Sequence, residues 1–394
     1  MNPDLEPIHL KFPLRMVFPQ FDSTLTELIL TLDHLRDKKS WESTMPPNMF
    51  SQVQDVFFLL ESVATARIEG NHTTILEYVS SKINQPVTTS SGIQEILNLE
   101  ATLSWVEETA KDREIPMRRM YVQELHRRLV QGLAWYPEGE GDSTPGEYRN
   151  VSVLIGSHKP VDFTQVPDYM EDLFDFLEEE RPARMDLLKI ALSHHRLVWI
   201  HPFQNGNGRT ARLFTYALLV RYGFGLETGR LFNPASVFCA TRETYYQKLA
   251  AADRAVPTGD DAPLLDWCEY VLAGIHRETE HLSQLTDYAF FSSKILRPAI
   301  RQTRQGGEIT EREEKILLEA VAKKVLVPGD VREMFRFDAA TVSRLIRGLR
   351  DKKMLVPTAP NARSYSLQFA NNVLLRGVIR AMGQEGFLPI PNEP

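Results

Sequence analysis

The step His201-Pro202 cuts an apolar run at residues 185–200 off from the polar stretch after it, and it restricts the fold of this chain more than any other feature. A proline disfavours the helical conformation in the residue before it, so a helix over 185–200 must end at or before His201 and leave the imidazole at the mouth of a loop. The loop, "FQNGNG", is short, and a second helical run follows over 210–221. Gly206 and Gly208 permit backbone conformations and close approaches that side chains forbid, so several N–H groups can converge on one anion at the N-terminus of the second helix. Arg209 and Arg212 lie three apart on one face of that helix's first turn, where positive charge opposes the helix dipole. Arginine forks bind phosphate bidentately, and a bound polyphosphate reconciles all of these features.

Each part has a plainer explanation when taken alone. A lone histidine after an apolar helix is ordinarily structural, and a glycine pair before a helix is commonly a turn. It is the conjunction of His, Pro, two Gly and two spaced Arg between His201 and Arg212 that favours chemistry. His194 and His195 suggest zinc together with His201, but no acid completes a ligand set at helical spacing and the chain has no HExxH. A zinc site is therefore not expected.

Residues 50–68, 92–109, 120–132, 242–253 and 264–283 repeat apolar side chains at helical spacing, so the chain reads as mainly α. The exception is 147–167, where a β-branched run, a Gly-Ser-His-Lys-Pro break and a second short extended piece predict a hairpin flap before a helix. A polar, glycine-containing stretch at 301–307 reads as a linker to a C-terminal piece. There, 308–324 predicts a helix, "PGDVREMF" a short second one, and 338–352 a third, N-capped by Asp338. In the third, Val342, Leu345, Ile346 and Leu349 follow the core pattern and leave Thr341, Ser343, Arg344, Arg347 and Arg350 outward. The tail can then form a two-stranded wing. The arrangement resembles a winged helix-turn-helix, with DNA as one candidate partner and protein contact or homodimerisation as the other uses of such a domain.

At 394 residues the chain exceeds one ordinary core and should divide into two or three domains. Its net charge of −7 excludes a surface coated for nucleic acid throughout, so any basic site must be local. Two cysteines, Cys239 and Cys268, form neither a metal-ligand spacing nor a disulfide framework, which fits a reducing compartment and sets a cytoplasmic location as the expectation. No stretch reaches the roughly 18 apolar residues of a membrane span, and the N-terminal "MNPDLEPIHLKFP" lacks a basic-then-apolar export pattern, so no membrane association is expected.

The run "HPFQNGNGRTAR" resembles the signature of Fic-domain proteins, and "PGEYRNVSVLIG" resembles the same family's flap. The resemblance covers roughly residues 50–230. It implies a Fic-type helical bundle with a β-hairpin flap, and transfer of AMP from ATP to the hydroxyl of a Ser, Thr or Tyr on a target protein, with the chain itself among the candidates. His201 would then be the base and Phe203 the loop's anchor in the core, while Asn207 with the Gly206 and Gly208 amides would hold phosphate. Arg209 and Arg212 would grip the β and γ phosphates, and Val153, Leu154, Ile155 and Gly156 would dock the target as an added strand. One position departs from the family. Asn205 stands where the family usually carries the acid that binds Mg²⁺, so weaker metal binding through a neutral amide oxygen is expected.

Glu69 is a second electrostatic oddity, an acid at the end of the 50–68 helix where the dipole disfavours it. A Glu69–Arg212 pair would relieve both helices. The resemblance implies this pairing as well, because Thr65, Glu69 and Gly70 match the family's inhibitory motif, whose glutamate takes the place of the γ phosphate. The resulting division is 1–110 for the inhibitory helical region, 111–300 for the Fic core and its flanking helices, and 308–394 for the winged helix. The reading is an autoinhibited protein adenylyltransferase. The alternatives are a nucleotide-sensing DNA-binding regulator with a weak core, and an enzyme that removes AMP from modified proteins.

Overall fold

The structure, a computed structural model, describes residues 11–37, 44–84, 90–156, 158–224 and 234–390. The first ten residues, most of the stretch inspected for an export signal, lie outside the described residues, as does Ser157 of the flap. Seventeen α-helical segments are found among the described residues. They are α1 (Thr24–Asp37), α2 (Pro47–Ile68), α3 (Ile75–Asn84), α4 (Ser91–Ala110), α5 (Arg119–Val130), α6 (Val166–Glu178), α7 (Asp186–Ile200), α8 (Asn207–Arg221), α9 (Pro234–Ala240), α10 (Arg242–Ala255), α11 (Ala262–Thr286), α12 (Tyr288–Phe290), α13 (Arg297–Gln305), α14 (Glu311–Lys323), α15 (Pro328–Phe335), α16 (Ala339–Asp351) and α17 (Leu374–Gln384). A π-helical turn, Phe291–Leu296, joins α12 to α13. Strands β1 (Leu355–Pro357) and β2 (Tyr365–Leu367) form an antiparallel pair. The fold is therefore mainly α, and among the described residues no helix is long and apolar enough to cross a membrane.

Two compact units divide the chain. The first contains Met1–Lys39, Ala64–His72 and Ser90–Glu278, and the second Ser40–Val63, Thr73–Thr89 and Thr279–Pro394. In the first, α7 and α8 pack against each other at the centre, with α6 and α10 against α7 and with α4 and α5 against α8. Every residue of α7 except Val198 is buried, and a helix enclosed on all sides must sit inside a bundle. That position rigidly frames the His201 loop.

In the second unit α13 packs on α17, and close approach makes this possible: a Cβ on Gly377 would lie 2.7 Å from the Ala299 carbonyl oxygen. This contact corrects the linker reading of 301–307. Ala299, Ile300 and Thr303 are buried on one face, so the polar stretch is the outer side and end of a packed helix. Thr310 and Glu313 close a capping box at the start of α14, and Asp338 caps α16 by accepting from the Thr341 N–H at 2.9 Å.

The 147–167 segment also differs from expectation. It holds one isolated antiparallel bridge, Ile155 with His158, rather than a ladder. Branched side chains extend a backbone, but two short extended pieces without a third strand or a covering face do not sustain a sheet.

Candidate active site

His201 caps α7 in the left-handed conformation, with φ 55° and ψ 61°. Its N–H reaches the Leu197 carbonyl at 3.1 Å, and Pro202 then turns the chain away. The ring's Nδ1 lies 3.3 Å from the Val198 carbonyl oxygen. A carbonyl only accepts, so Nδ1 carries the proton and Nε2 keeps its lone pair. Burial pushes the imidazole's pKa down to about 4, against the opposing pull of the Val198 carbonyl. At neutral pH His201 is thus an uncharged base.

The loop is closed by its own side chains. Phe203 is fully buried and stacks on His126, with ring centroids 3.8 Å apart and planes 1° from parallel. Asn207 accepts from the Phe203 N–H and donates to the Phe203 carbonyl, both at 2.9 Å. Both arms of the Asn207 amide are thus engaged by the loop itself. His126 receives the Gly146 N–H on Nδ1 at 2.9 Å and therefore donates from Nε2 to the Asn205 carbonyl at 3.0 Å. It too is held neutral by burial, at about 4. Asp142 accepts the Asn205 N–H at 3.1 Å, and the Asn205 side-chain amide donates to the Gly141 carbonyl at 3.3 Å. Gly206 has φ +74°, and a Cβ there would press on Val130 and His126.

Arg149 was not singled out by the sequence, yet it fixes the His201 backbone. Its Nε donates to the His201 carbonyl at 2.7 Å, Nη1 to the Val151 carbonyl at 2.9 Å and Nη2 to the Val161 carbonyl at 2.5 Å. One buried guanidinium so ties the His201 loop to both arms of the flap. On the flap, Leu154 and Ile155 are exposed, Gly156 is exposed and Val153 is half-buried.

Arg209 and Arg212 are the third and sixth residues of α8, so Arg212 lies just past the first turn. Both are fully buried. Arg209 meets Glu95 at 2.9 Å and Glu140 at 3.2 Å, carboxylates that the sequence reading missed. Burial raises the Glu95 pKa and Arg209 opposes that rise. Arg212 forms an ion pair with Glu69 and donates to the Thr65 carbonyl at 3.2 Å. Arg212 and Arg209 together hold the Glu69 carboxyl below its ordinary range, against burial, which alone would raise it. The Nε atoms of both arginines remain buried without an acceptor.

The position of Glu69 follows from how α2 ends. Gly70 adopts φ +102°, its N–H bonds to the Arg67 carbonyl, and the Asn71 N–H bonds back to the Ala66 carbonyl. These are the two bonds of a Schellman termination, which leaves Glu69 as the last capping residue. Its carboxylate reaches the start of α8 so closely that a Cβ on Gly208 would fall 2.2 Å from Glu69 Oε1. A carboxylate of the chain itself thus lies where the helix N-terminus would hold an anion.

Among the described residues no group of three or more His, Cys, Asp or Glu could hold a metal ion. His194 is a core residue bonded to Thr215 at 2.7 Å and Tyr245 at 3.0 Å, and His195 faces Asp253 at 3.0 Å.

Residues 116–219 match the Fic/DOC family model. This segment is similar to a Fic domain. Relatives of the chain include a protein adenylyltransferase Fic of Nematostella vectensis, 29% identical over 61% of this chain and 52% of its own length. Another is protein adenylyltransferase fic-1 of Caenorhabditis briggsae, 33% identical over 34% of this chain and 23% of its own length. The chain spans about half the length of the first of these curated relatives. Among solved structures, a Fic family protein from Desulfovibrio desulfuricans superposes with TM-score 0.54 at 20% identity, covering 90% of this chain and 98% of its own. A Fic domain containing signaling protein from Bacteroides thetaiotaomicron gives 0.52 at 19% identity, covering 67% and 97%. Glu69 and Glu95 lie outside the matched Fic segment, whereas Arg149, His201, Arg209 and Arg212 lie within it.

Proposed function

We propose that the chain is a protein adenylyltransferase that moves AMP from ATP to a hydroxyl of a target protein and is restrained by Glu69. The observation that carries this reading is the neutral His201 base beside a helix N-terminus already filled by an internal carboxylate. In the reaction, the target hydroxyl oxygen attacks the α phosphorus as His201 Nε2 takes its proton. The bond to the β-phosphate oxygen breaks, and pyrophosphate leaves. The N–H groups of Gly206, Asn207 and Gly208 and the side chains of Arg209 and Arg212 hold the phosphates. The exposed Leu154 and Ile155 receive the target as an added strand.

Mg²⁺ would supply charge neutralisation between phosphates. Asn205 suits it as a single neutral ligand, because its nitrogen arm is engaged by Gly141 and its oxygen arm is the one a hard cation takes. We read 1–110 as the inhibitory region, 111–300 as the catalytic core and its flanking helices, of which those after Glu278 fall in the second compact unit, and 308–394 as a winged helix. Cysteine usage and the need for ATP favour a cytoplasmic setting.

The test is His201→Ala, assayed for nucleotide affinity and for transfer of α-labelled AMP on one preparation. Transfer should vanish while ATP affinity persists, since the phosphates are held elsewhere. Loss of both together would make the histidine structural and refute its role as base.

A further inference from the structure

Charge is segregated along this acidic chain. Residues 279–394 hold 18 Lys and Arg against 13 Asp and Glu, although the whole chain carries −7. The surplus concentrates between Arg332 and Arg363, with eight basic residues and three acidic ones. Within that stretch α16 buries Val342, Ile346 and Leu349 on one side. Arg344, Arg347 and Arg350 are exposed on the other, spaced three apart and so neighbours along the helix surface. Arg332, Arg336, Lys353 and Arg363 are exposed beside it, on α15, on the turn into α16, after α16 and at the base of the β1–β2 turn.

Little of this charge is neutralised within the unit. Lys352 is bound to Glu313, and Arg350 lies 5.9 Å from the centre of the Tyr365 ring. Among the described residues, Arg332, Arg336, Arg344, Arg347, Lys353 and Arg363 have no carboxylate partner. The structure around them is firm. Asp338 caps α16, Arg336 takes φ 55° to turn the chain between α15 and α16, and β1 and β2 pair from Leu355–Leu367 to Pro357–Tyr365.

We propose that this face binds the phosphates of double-stranded DNA, with α16 in the major groove and the β1–β2 turn against the backbone. The chemistry favours a duplex over an acidic protein, because a protein interface needs an apolar centre and none of the exposed large hydrophobic residues lies on α16. It favours DNA over an RNA duplex, whose major groove is too narrow for a helix. The proposal is independent of the catalytic reading, since it needs neither ATP nor His201.

The test is fluorescence anisotropy of the full chain with a labelled mixed-sequence duplex of about 20 base pairs, compared with its single strand and with polyglutamate as competitor. At about 0.1 M salt the dissociation constant should fall between about 1 and 100 μM, weakening steeply with salt. Arg344→Ala with Arg347→Ala should lower the salt slope by about 2 and the affinity at least about tenfold, with an unchanged melting temperature because both side chains are exposed. Any of four results would overturn the proposal: no duplex binding at low salt, an unchanged affinity and slope in the variant, equal affinity for the single strand, or competition by polyglutamate as strong as by unlabelled duplex.

Discussion

Replacing Glu69 by glycine tests the centre of the argument, because it should destabilise the protein and activate it at once. Arg212 is 1% exposed and Glu69 26% exposed in their ion pair. Removing one partner of a buried pair costs about 3–5 kcal/mol, and because water reaches Glu69 the lower figure, about 3 kcal/mol, applies. For a folded unit of this size that corresponds to a fall in Tm on the order of 5–10 °C. The Thr65 carbonyl would remain as an acceptor for Arg212. ATP should then do for the variant what Glu69 does for the native chain. At about 100 times its dissociation constant a ligand contributes about 2.7 kcal/mol, enough to restore most of the lost Tm, whereas the native protein, its cradle occupied, should respond much less. A freed Arg212 gives the nucleotide one charge-assisted hydrogen bond worth about 1.5–3 kcal/mol, or roughly 10- to 150-fold in AMP transfer. Thermal melts with and without ATP, together with transfer of α-labelled AMP, read both effects. Glu69→Gln should activate less, because it keeps the bulk, and Arg212→Ala added to Glu69→Gly should cancel the gain. A folded, ATP-binding Glu69→Gly protein with native melting behaviour and no rate gain would refute the reasoning.

Three further outcomes follow from the same geometry. Because burial holds His201 near 4, and the Glu69 carboxylate is among the groups that keep it from falling further, the Glu69→Gly enzyme should show kcat/KM flat from about pH 5.5 to 8 with an acid limb at or below about 4; a limb near 6.5 in a pH–rate series would contradict the assignment. The stability signs run together. A depressed histidine contributes stability above about 6.5 that is lost as pH falls toward 4, and the depressed Glu69 contributes above about 4.5 and is lost below it, so melts should stay level across the neutral range and fall in acid. Gly208→Ala should lower Tm as Glu69→Gly does, since the new Cβ would sit 2.2 Å from Glu69 Oε1 and 3.1 Å from Arg212 Nη1. It should not raise transfer, because the methyl group fills the cradle it empties; an active Gly208→Ala protein would show that phosphate binds elsewhere.

The loop after His201 was legible because its constraints are local. Pro202 ends α7, Gly206 opens α8 and the two arginines lie at helical spacing, so a few adjacent residues carry the whole signal. The second and third C-terminal helices were legible for the same reason, through the run opened by Pro328 and the Asp338 cap, whereas the first starts at its Thr310 cap rather than at residue 308. The residues that hold the loop in place were harder to see. Arg149 serves carbonyls at Val151, Val161 and His201, and no periodicity marks a side chain whose partners are scattered along the chain. Glu95 and His126 did leave a trace. Glu95 shares the apolar face of α4 with Leu99, Thr102 and Val106, and His126 shares that of α5 with Val122 and Leu129. A charged or polar group on an apolar stripe requires a buried partner. α17 carries Leu374, Leu375, Val378, Ile379 and Met382 at plain helical spacing, and with them the reason that 301–305 is packed helix.

The two arginines of α8 pose one physical problem with two different solutions, and the difference decides which of them can act as a switch. Each is a fully buried cation near the N-terminal end of a helix whose dipole repels it, so each needs an acid to fold. Arg209 finds Glu95, which is 3% exposed within α4 and also receives the Asn71 amide at 2.7 Å. Displacing Glu95 would strand a carboxylate in the core. Arg212 finds Glu69, which is partly exposed, stands one residue before Gly70 at the frayable end of α2, and lies in the space that Gly208 leaves open. Displacing Glu69 exposes it to water at little cost, while a phosphate entering the same space inherits Arg212 as partner. On the proposed function, Arg209 therefore meets phosphate from a fixed position, and Arg212 is the cation over which Glu69 and ATP would compete.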